Sequence, residues 1–84
     1  MSDPDHVLRK VQDAFKAVFD VDPQSVSLET SASDITGWNS LGHLSLTTHL
    51  EQTFGFTLDV DELMEMESVR EIVRIVSAKL SKQV

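Results

Sequence analysis

The sequence predicts an all-α fold, a small four-helix bundle of three longer helices and one short third helix with a long first loop. Apolar residues recur at intervals of three and four in several segments, as they do along one face of a helix. Residues that begin and end helices stand at the ends of these segments, and no useful length of chain alternates with the period of two that marks a half-buried strand. With 84 residues and no repeat or linker, we expect a single domain over residues 1–84.

The first helix is predicted over about Asp5–Phe19, with Asp3 as its N-cap and Pro4 in its first position. Pro23 and a run of polar residues then interrupt the pattern over Asp20–Trp38. A structureless connection of this length is unusual inside a small domain. We therefore expect an ordered loop with a short helical turn, held to the bundle by its spaced apolar residues, which are Val26, Leu28, Ile35 and Trp38.

The second helix is predicted over about Ser40–Phe54. Gly55 follows it, and glycine readily adopts the left-handed conformation that ends helices. Residues four apart share a helix face, and those assigned to the core are Leu46, Leu50 and Phe54. A neighbouring stripe, expected to be only partly covered, consists of Leu41, Leu44 and Thr48.

Capping boxes predict the starts of the last two helices. Asp59 and Glu62 form the first box, ahead of a segment of one or two turns with an apolar side made by Leu63, Met64 and Met66. Ser68 and Glu71 form the second. The expected buried face of the fourth helix consists of Val69, Ile72, Val73, Val76 and Leu80.

Charge is distributed unevenly along the chain. The net charge is -7, and residues 17–69 contain ten carboxylates and no Lys or Arg. Such a segment repels phosphate backbones and attracts basic surfaces, so nucleic-acid binding is disfavoured and a partner with a positive patch is favoured. There is no Cys, no apolar run of transmembrane length and no signal-like N-terminus. We expect a soluble, unprocessed, cytoplasmic monomer without membrane insertion.

The spacing of polar residues disfavours hydrolase and metal sites. Ser40 between Gly37 and Gly42 does not match the Gly-x-Ser-x-Gly elbow of hydrolases, and no predicted strand precedes it. His43 and His49 point to different sides of one helix, and the two Asp-x-Asp pairs, at 20–22 and 59–61, lack the later residues of a calcium loop. We predict no catalytic residue and no metal site, and expect both histidines to be surface residues.

Ser40 stands where the long loop meets the second helix, and this position allows two interpretations. Ser40 or Asn39 can act as the helix N-cap, since both residue types are preferred there; by residue type alone this interpretation is favoured. Alternatively, a phosphodiester on Ser40 would lie in the favourable field of the N–H groups at the helix start. The stripe that begins at Leu41 would then offer a docking surface beside it.

Around Ser40 the chain resembles the acyl carrier and peptidyl carrier protein family, in which an Asp-Ser-Leu signature opens the second of four helices. The corresponding residues here are Asn39-Ser40-Leu41. The remaining features occur in the same order: the long loop, the Leu46, Leu50 and Phe54 face, Phe56-Thr57-Leu58 before a short acidic helix, and Ser68-Val69. The similarity extends from about Val7 to Leu80.

The resemblance implies a freestanding carrier and not an enzyme. A phosphopantetheinyl transferase would move a 4'-phosphopantetheine arm from coenzyme A onto Ser40, with Asn39 and Leu41 completing the attachment motif. The thiol of the arm would hold an acyl or aminoacyl group as a thioester, so the chain itself needs no Cys. Further partners would be an acyl- or aminoacyl-loading enzyme and downstream synthase or transferase enzymes.

The chain departs from the family pattern in two ways. Asn39 replaces the Asp that in the family helps to engage the transferase; it keeps the capping ability and lacks the charge. Positions of the second helix that are often acidic in fatty-acid carriers are Gly42 and Ser45, and only Glu51 is acidic there.

These departures favour a specialised carrier, of a secondary-metabolite, polyketide, nonribosomal or modified-lipid pathway. Its clients are expected to recognise apolar and polar contacts on the second helix and to be steered by the acidic third helix. The predicted recognition residues are Gly42, His43, Leu44, Thr48, Glu51, Asp59, Asp61, Glu62, Met64 and Glu65. The alternative is a degenerate carrier-like fold that lacks the arm and acts as a protein-interaction module.

Overall fold

The structure, a computed structural model, describes residues 4–82. Four α-helices follow one another in this part of the chain: α1 Pro4–Phe19, α2 Ser40–Phe54, α3 Val60–Glu65 and α4 Val69–Lys82. This architecture confirms the predicted all-α bundle with its short third helix. Asp3, the predicted N-cap of α1, lies outside the described residues. Within residues 4–82 no helix has the length and apolar character needed to cross a membrane.

The apolar faces of α1, α2 and α4 meet in one core. Phe15 of α1, Leu46 and Leu50 of α2 and Ile72 of α4 have no exposed surface, as their helical spacing predicts. Two residues expected in the core, Phe54 and Leu80, are only half-buried at its edge. In the case of Phe54 the reason is its place on the last turn of α2, where its ring stacks on Phe56 at 5.7 Å.

The first loop is ordered and contains two short 3₁₀ turns, Pro23–Ser25 and Ala32–Asp34. Its apolar residues hold it to the bundle as expected: Val26, Ile35 and Trp38 are buried and Leu28 is half-buried. The loop also pairs with the segment before α4, where the Val69 N–H donates to the Thr30 carbonyl at 2.8 Å. This short antiparallel contact, centred on Ser31 and Ser68, has no signature in the sequence pattern.

The helix ends largely follow the predicted signals. Gly55 ends α2 with a φ of 76°, and Asp59 and Glu62 form the reciprocal capping box of α3 at 2.9 and 3.0 Å. The second box is incomplete. Ser68 accepts from the Glu71 N–H at 3.4 Å, but the Glu71 carboxylate binds Arg74 at 2.7 Å instead of returning to the helix start.

Candidate functional site

Ser40 is the first residue of α2 and is exposed. The N-cap is its neighbour Asn39, whose Oδ1 accepts from the Gly42 N–H at 3.0 Å and whose carbonyl accepts from the His43 N–H at 2.7 Å. Of the two residues that the sequence offered as the cap, the structure therefore selects Asn39. A negative group on the Ser40 oxygen would lie beside the N–H groups of the first turn, where the helix dipole stabilises it.

Trp38 anchors the chain just before this site. Its side chain is buried, with its ring edge-on to Phe15 at a centroid distance of 5.0 Å and 6.4 Å from the ring of Phe19. Because Trp38 is fixed in the core, Ser40 two residues later is held at the surface. The predicted anchoring role of Trp38 is confirmed.

Gly42 lies in a close contact between α2 and the end of the first loop. A Cβ at this position would overlap the Gly37 carbonyl oxygen and come within 2.8 Å of Cε1 of Phe19. The missing side chain lets the loop cross directly over the first turn of α2. The structure thus places Gly42, predicted to recognise partners, in a packing contact.

His43 is not the free surface residue that its position suggested. It is half-buried, its Nδ1 accepts from the Trp38 indole Nε1–H at 2.8 Å, and its Nε2 lies 2.8 Å from the Leu63 carbonyl oxygen. With both nitrogens bound, the imidazole is not available as a base for the Ser40 hydroxyl. His49 is half-buried as well, and lines a separate shallow groove with Val18.

Two of the predicted recognition carboxylates are half-buried and bind within the protein. Glu51 accepts from the Leu58 N–H at 2.8 Å, which ties the end of α2 to the chain that enters α3. Glu62 accepts from Lys79 of α4 at 2.8 Å and from the Asp59 N–H at 3.0 Å. The hydrogen bond from Lys79, and then that from the Asp59 backbone, lower the pKa of Glu62. Both carboxylates therefore stabilise the bundle.

The other predicted recognition residues remain exposed, as does Leu41 of the attachment motif. Leu41 is 79% exposed and Leu44 55%, so the α2 stripe is less covered than expected. On α3, Met64 is 71% exposed, although it was expected on the apolar side of that helix, and Val60 is 67% exposed. The sequence prediction missed Val60, whose signal is a lone apolar residue between Asp59 and Asp61. The exposed polar members of the predicted set are Thr48, Asp59, Asp61 and Glu65.

A surface groove of about 380 Å³ adjoins Ser40. Its walls come from the end of the first loop, the start of α2 and α3, and the residues that line it are Ala32, Trp38, Asn39, Ser40, His43, Leu63, Met64, Met66 and Glu67. No group of three or more His, Asp or Glu side chains among residues 4–82 is arranged to hold a metal ion.

The site is thus an exposed serine that opens a packed helix, with a surface groove beside it. Comparison with known proteins shows which family has this arrangement. The family model described as "Phosphopantetheine attachment site" matches residues 9–76. An acyl carrier protein of Petrotoga mobilis is 31% identical over 77 residues, which cover 92% of this chain and 91% of the relative.

A solved structure is also similar. The solution NMR structure of the holo acyl carrier protein from Geobacter metallireducens superposes with a TM-score of 0.82 and 32% identity, over 92% of this chain and 88% of that one. The chain therefore belongs to the phosphopantetheine-attachment family of acyl carrier proteins, which are carriers rather than catalysts. Its cofactor is covalently attached phosphopantetheine. The arm-less interaction module finds no support in these comparisons.

Proposed function

We propose that Ser40 is the residue that carries phosphopantetheine, and that the holo protein holds acyl or aminoacyl groups as thioesters on it. One observation supports this most directly: Ser40 is exposed at the start of α2 while Asn39 makes the cap. The Ser40 hydroxyl can be esterified without loss of the cap, and the phosphate formed would gain from the helix N-terminus.

The attachment step needs an external enzyme. The Ser40 oxygen would form a bond to the phosphorus of the pantetheine phosphate, the pyrophosphate bond of coenzyme A would break, and the nucleotide half would leave. We assign the base that takes the Ser40 proton to the transferase, since both nitrogens of the neighbouring His43 are bound to Trp38 and Leu63. This chain contributes the positioned nucleophile and the surface that the transferase contacts.

The proposed docking surface flanks Ser40 on two helices. Leu41 and Leu44 on α2 and Val60 and Met64 on α3 supply apolar contact area. The surrounding exposed carboxylates are Asp59, Asp61 and Glu65. Such a surface fits partners with an apolar patch bordered by basic side chains. These partners are the transferase, an acyl- or aminoacyl-loading enzyme and downstream synthase or transferase enzymes.

A specialised pathway is part of the proposal. The only carboxylate of α2 is Glu51, and that carboxylate binds the Leu58 N–H. The exposed side of α2 therefore offers clients mainly uncharged contacts, and the acidic field comes from α3. Clients that recognise a second helix of this kind would differ from those that recognise an acidic one.

Intact mass measurement tests the attachment site. The apo protein is incubated with coenzyme A and a broad-specificity phosphopantetheinyl transferase, and gain of one phosphopantetheine is expected. Ser40→Ala should gain nothing, whereas Ser45→Ala, which removes another exposed serine of α2, should gain the same mass as the wild type. The proposal would be contradicted if the wild type gained no phosphopantetheine with several transferases, or if Ser40→Ala gained one.

A further inference from the structure

His43 connects three parts of the chain that meet beside Ser40. The Trp38 indole can only donate a hydrogen bond and the Leu63 carbonyl can only accept one. With both distances at 2.8 Å, the two bonds fit the His43 tautomer with a bare Nδ1 and the hydrogen on Nε2. We call this set, Trp38–His43–Leu63, the histidine bridge.

The histidine bridge lies across the boundary between α2 and α3. His43 belongs to the first turns of α2, and Leu63 belongs to α3 and packs against the core. Near the other end of this boundary, the Glu51 carboxylate of α2 accepts from the Leu58 N–H, just before α3 begins. Side chains of α2 thus hold the α3 segment at two places, one of them next to Ser40.

Behind this boundary lies the apolar core. Leu46 and Leu50 are fully buried and Met66 is 2% exposed. Protein interiors of this kind are close-packed, so an added chain must displace what is there. An alkyl chain that passed between α2 and α3 at His43 would break the bond from His43 to Leu63 and leave half-buried polar groups without their partner, which is unfavourable.

In front of the boundary, the groove beside Ser40 remains open to solvent. Its volume of about 380 Å³ is at the lower end of the range for small-molecule sites. Its walls mix apolar groups, such as Met66 and the Trp38 ring, with the polar groups of Asn39 and Glu67. A long alkyl chain left here would keep most of its methylenes in water, whereas a short or polar group would lose little.

We infer that His43 determines which cargo this carrier takes: the histidine bridge keeps α3 against α2, so the cargo stays outside the bundle and is a short or polar acyl or aminoacyl group. This inference rests on the proposed carrier function. It assigns to His43 a role in specificity that does not require contact with a client enzyme.

The test compares holo proteins loaded with acetyl, octanoyl and myristoyl groups, in the wild type and in His43→Ala. Thermal unfolding is followed by the fluorescence of Trp38, the only tryptophan of the chain. The melting temperature of the wild type is expected to be the same with all three groups. His43→Ala removes the bridge, so the melting temperature of this variant should rise by several degrees from the acetyl to the myristoyl form, as the alkyl chain enters the interior.

Two results would overturn the inference. A wild-type melting temperature that rises with the length of the acyl chain would show that the bridge does not exclude the chain. A melting temperature of His43→Ala that does not change with chain length would show that something other than the bridge excludes it. His43→Gln keeps one acceptor and one donor and should restore the wild-type behaviour. If His43→Ala does not fold, contacts in NMR spectra of the wild type decide: contacts between the myristoyl chain and the Leu46 and Leu50 methyl groups would contradict the inference, and their absence would support it.

The intact mass of every sample separates this inference from the proposed function. No mass gain on Ser40 would refute the carrier proposal and the inference that rests on it. A normal gain followed by length-dependent stabilisation of the wild type would refute only the role of His43. Nitrogen NMR of the His43 ring in the apo protein checks the bridge itself. A hydrogen on Nδ1 would contradict the bridge, because Nδ1 must accept from the Trp38 indole.

Discussion

The Gly37 carbonyl oxygen lies against Gly42, so close that a Cβ at position 42 would overlap it. Gly37 itself has a φ of 93°, a conformation that glycine adopts without strain. The two glycines together allow the loop to cross the first turn of α2 and deliver Trp38 to the core. The geometry of Ser40 therefore depends on a backbone contact that no larger residue permits.

Gly42→Ala is expected to lower the free energy of unfolding by about 1–3 kcal/mol, the usual cost of forcing an extra carbon into a packed contact. In an open helical position the same change would raise it by up to about 1 kcal/mol. Urea denaturation provides the measurement. Ser45→Ala, at an exposed position of the same helix, is the control and should change stability by less than about 0.5 kcal/mol. Stabilisation by Gly42→Ala would show that the contact is not tight.

Glu51 is predicted to stabilise the bundle through its bond to the Leu58 N–H. Glu51→Ala should reduce the free energy of unfolding by about 1–2 kcal/mol, because a half-buried donor loses a charged acceptor. Glu51→Gln keeps an acceptor and should retain most of that stability, and Gln52→Ala, at the neighbouring exposed position, controls for helix effects. If Glu51→Ala weakened transferase binding without any change in stability, the residue would be a recognition residue instead.

Helix boundaries could be predicted from the sequence, whereas the structural role of Glu51 could not, because its bond depends on how the chain packs. Helix starts and the Gly55 end follow from residues close together in the sequence, which therefore predicts them, and the burial of Trp38 follows from its apolar side chain. His43 binds Leu63, 20 residues away, and Lys79 binds the Thr57 carbonyl, 22 residues away. Such pairs depend on how the helices pack, and residue type alone gives a carboxylate or an imidazole on α2 no preference for the inside.

Glu62 gives the stability a pH dependence whose sign follows from its lowered pKa. Its charged form is bound by Lys79 and by the Asp59 N–H in the folded protein. The stabilisation is fully present above the ordinary value of 4.5, and is lost as the pH falls through the lowered folded value. Glu62→Gln should therefore be less stable than the wild type at neutral pH, and the difference should shrink in acid. Urea midpoints across this pH range measure it, with the exposed Asp61→Asn as a charge control; a difference that stays constant with pH would contradict the prediction.

Asn39→Asp is expected to raise the rate of phosphopantetheine transfer to Ser40 without loss of stability. Asp caps a helix as well as Asn does, and its charge is favourable at a helix N-terminus. It also restores the carboxylate that the family resemblance associates with the transferase. The ratio kcat/KM for the transferase, measured with wild type and variant, tests this.

Asn39→Ala serves as the control, because it removes the cap and should lower stability by about 1 kcal/mol. A lower kcat/KM for Asn39→Asp would show that the transferase accepts this chain because of the uncharged residue.

Client association is predicted to be steered by α3 and held by apolar contacts on both helices. Neutralising the exposed Asp61 and Glu65 together should slow association with the transferase at low salt and flatten its dependence on salt, because long-range attraction sets the association rate. Leu41→Ala should instead speed dissociation and leave the salt dependence unchanged, since it removes apolar contact area and no charge. Stopped-flow kinetics over a range of salt concentrations separate the two effects. Glu29→Gln combined with Asp13→Asn, which removes two exposed carboxylates outside α3, is the matched control for the loss of two charges. An equal loss of salt dependence in this control would show that the net charge of the chain, and not the surface of α3, directs its partners.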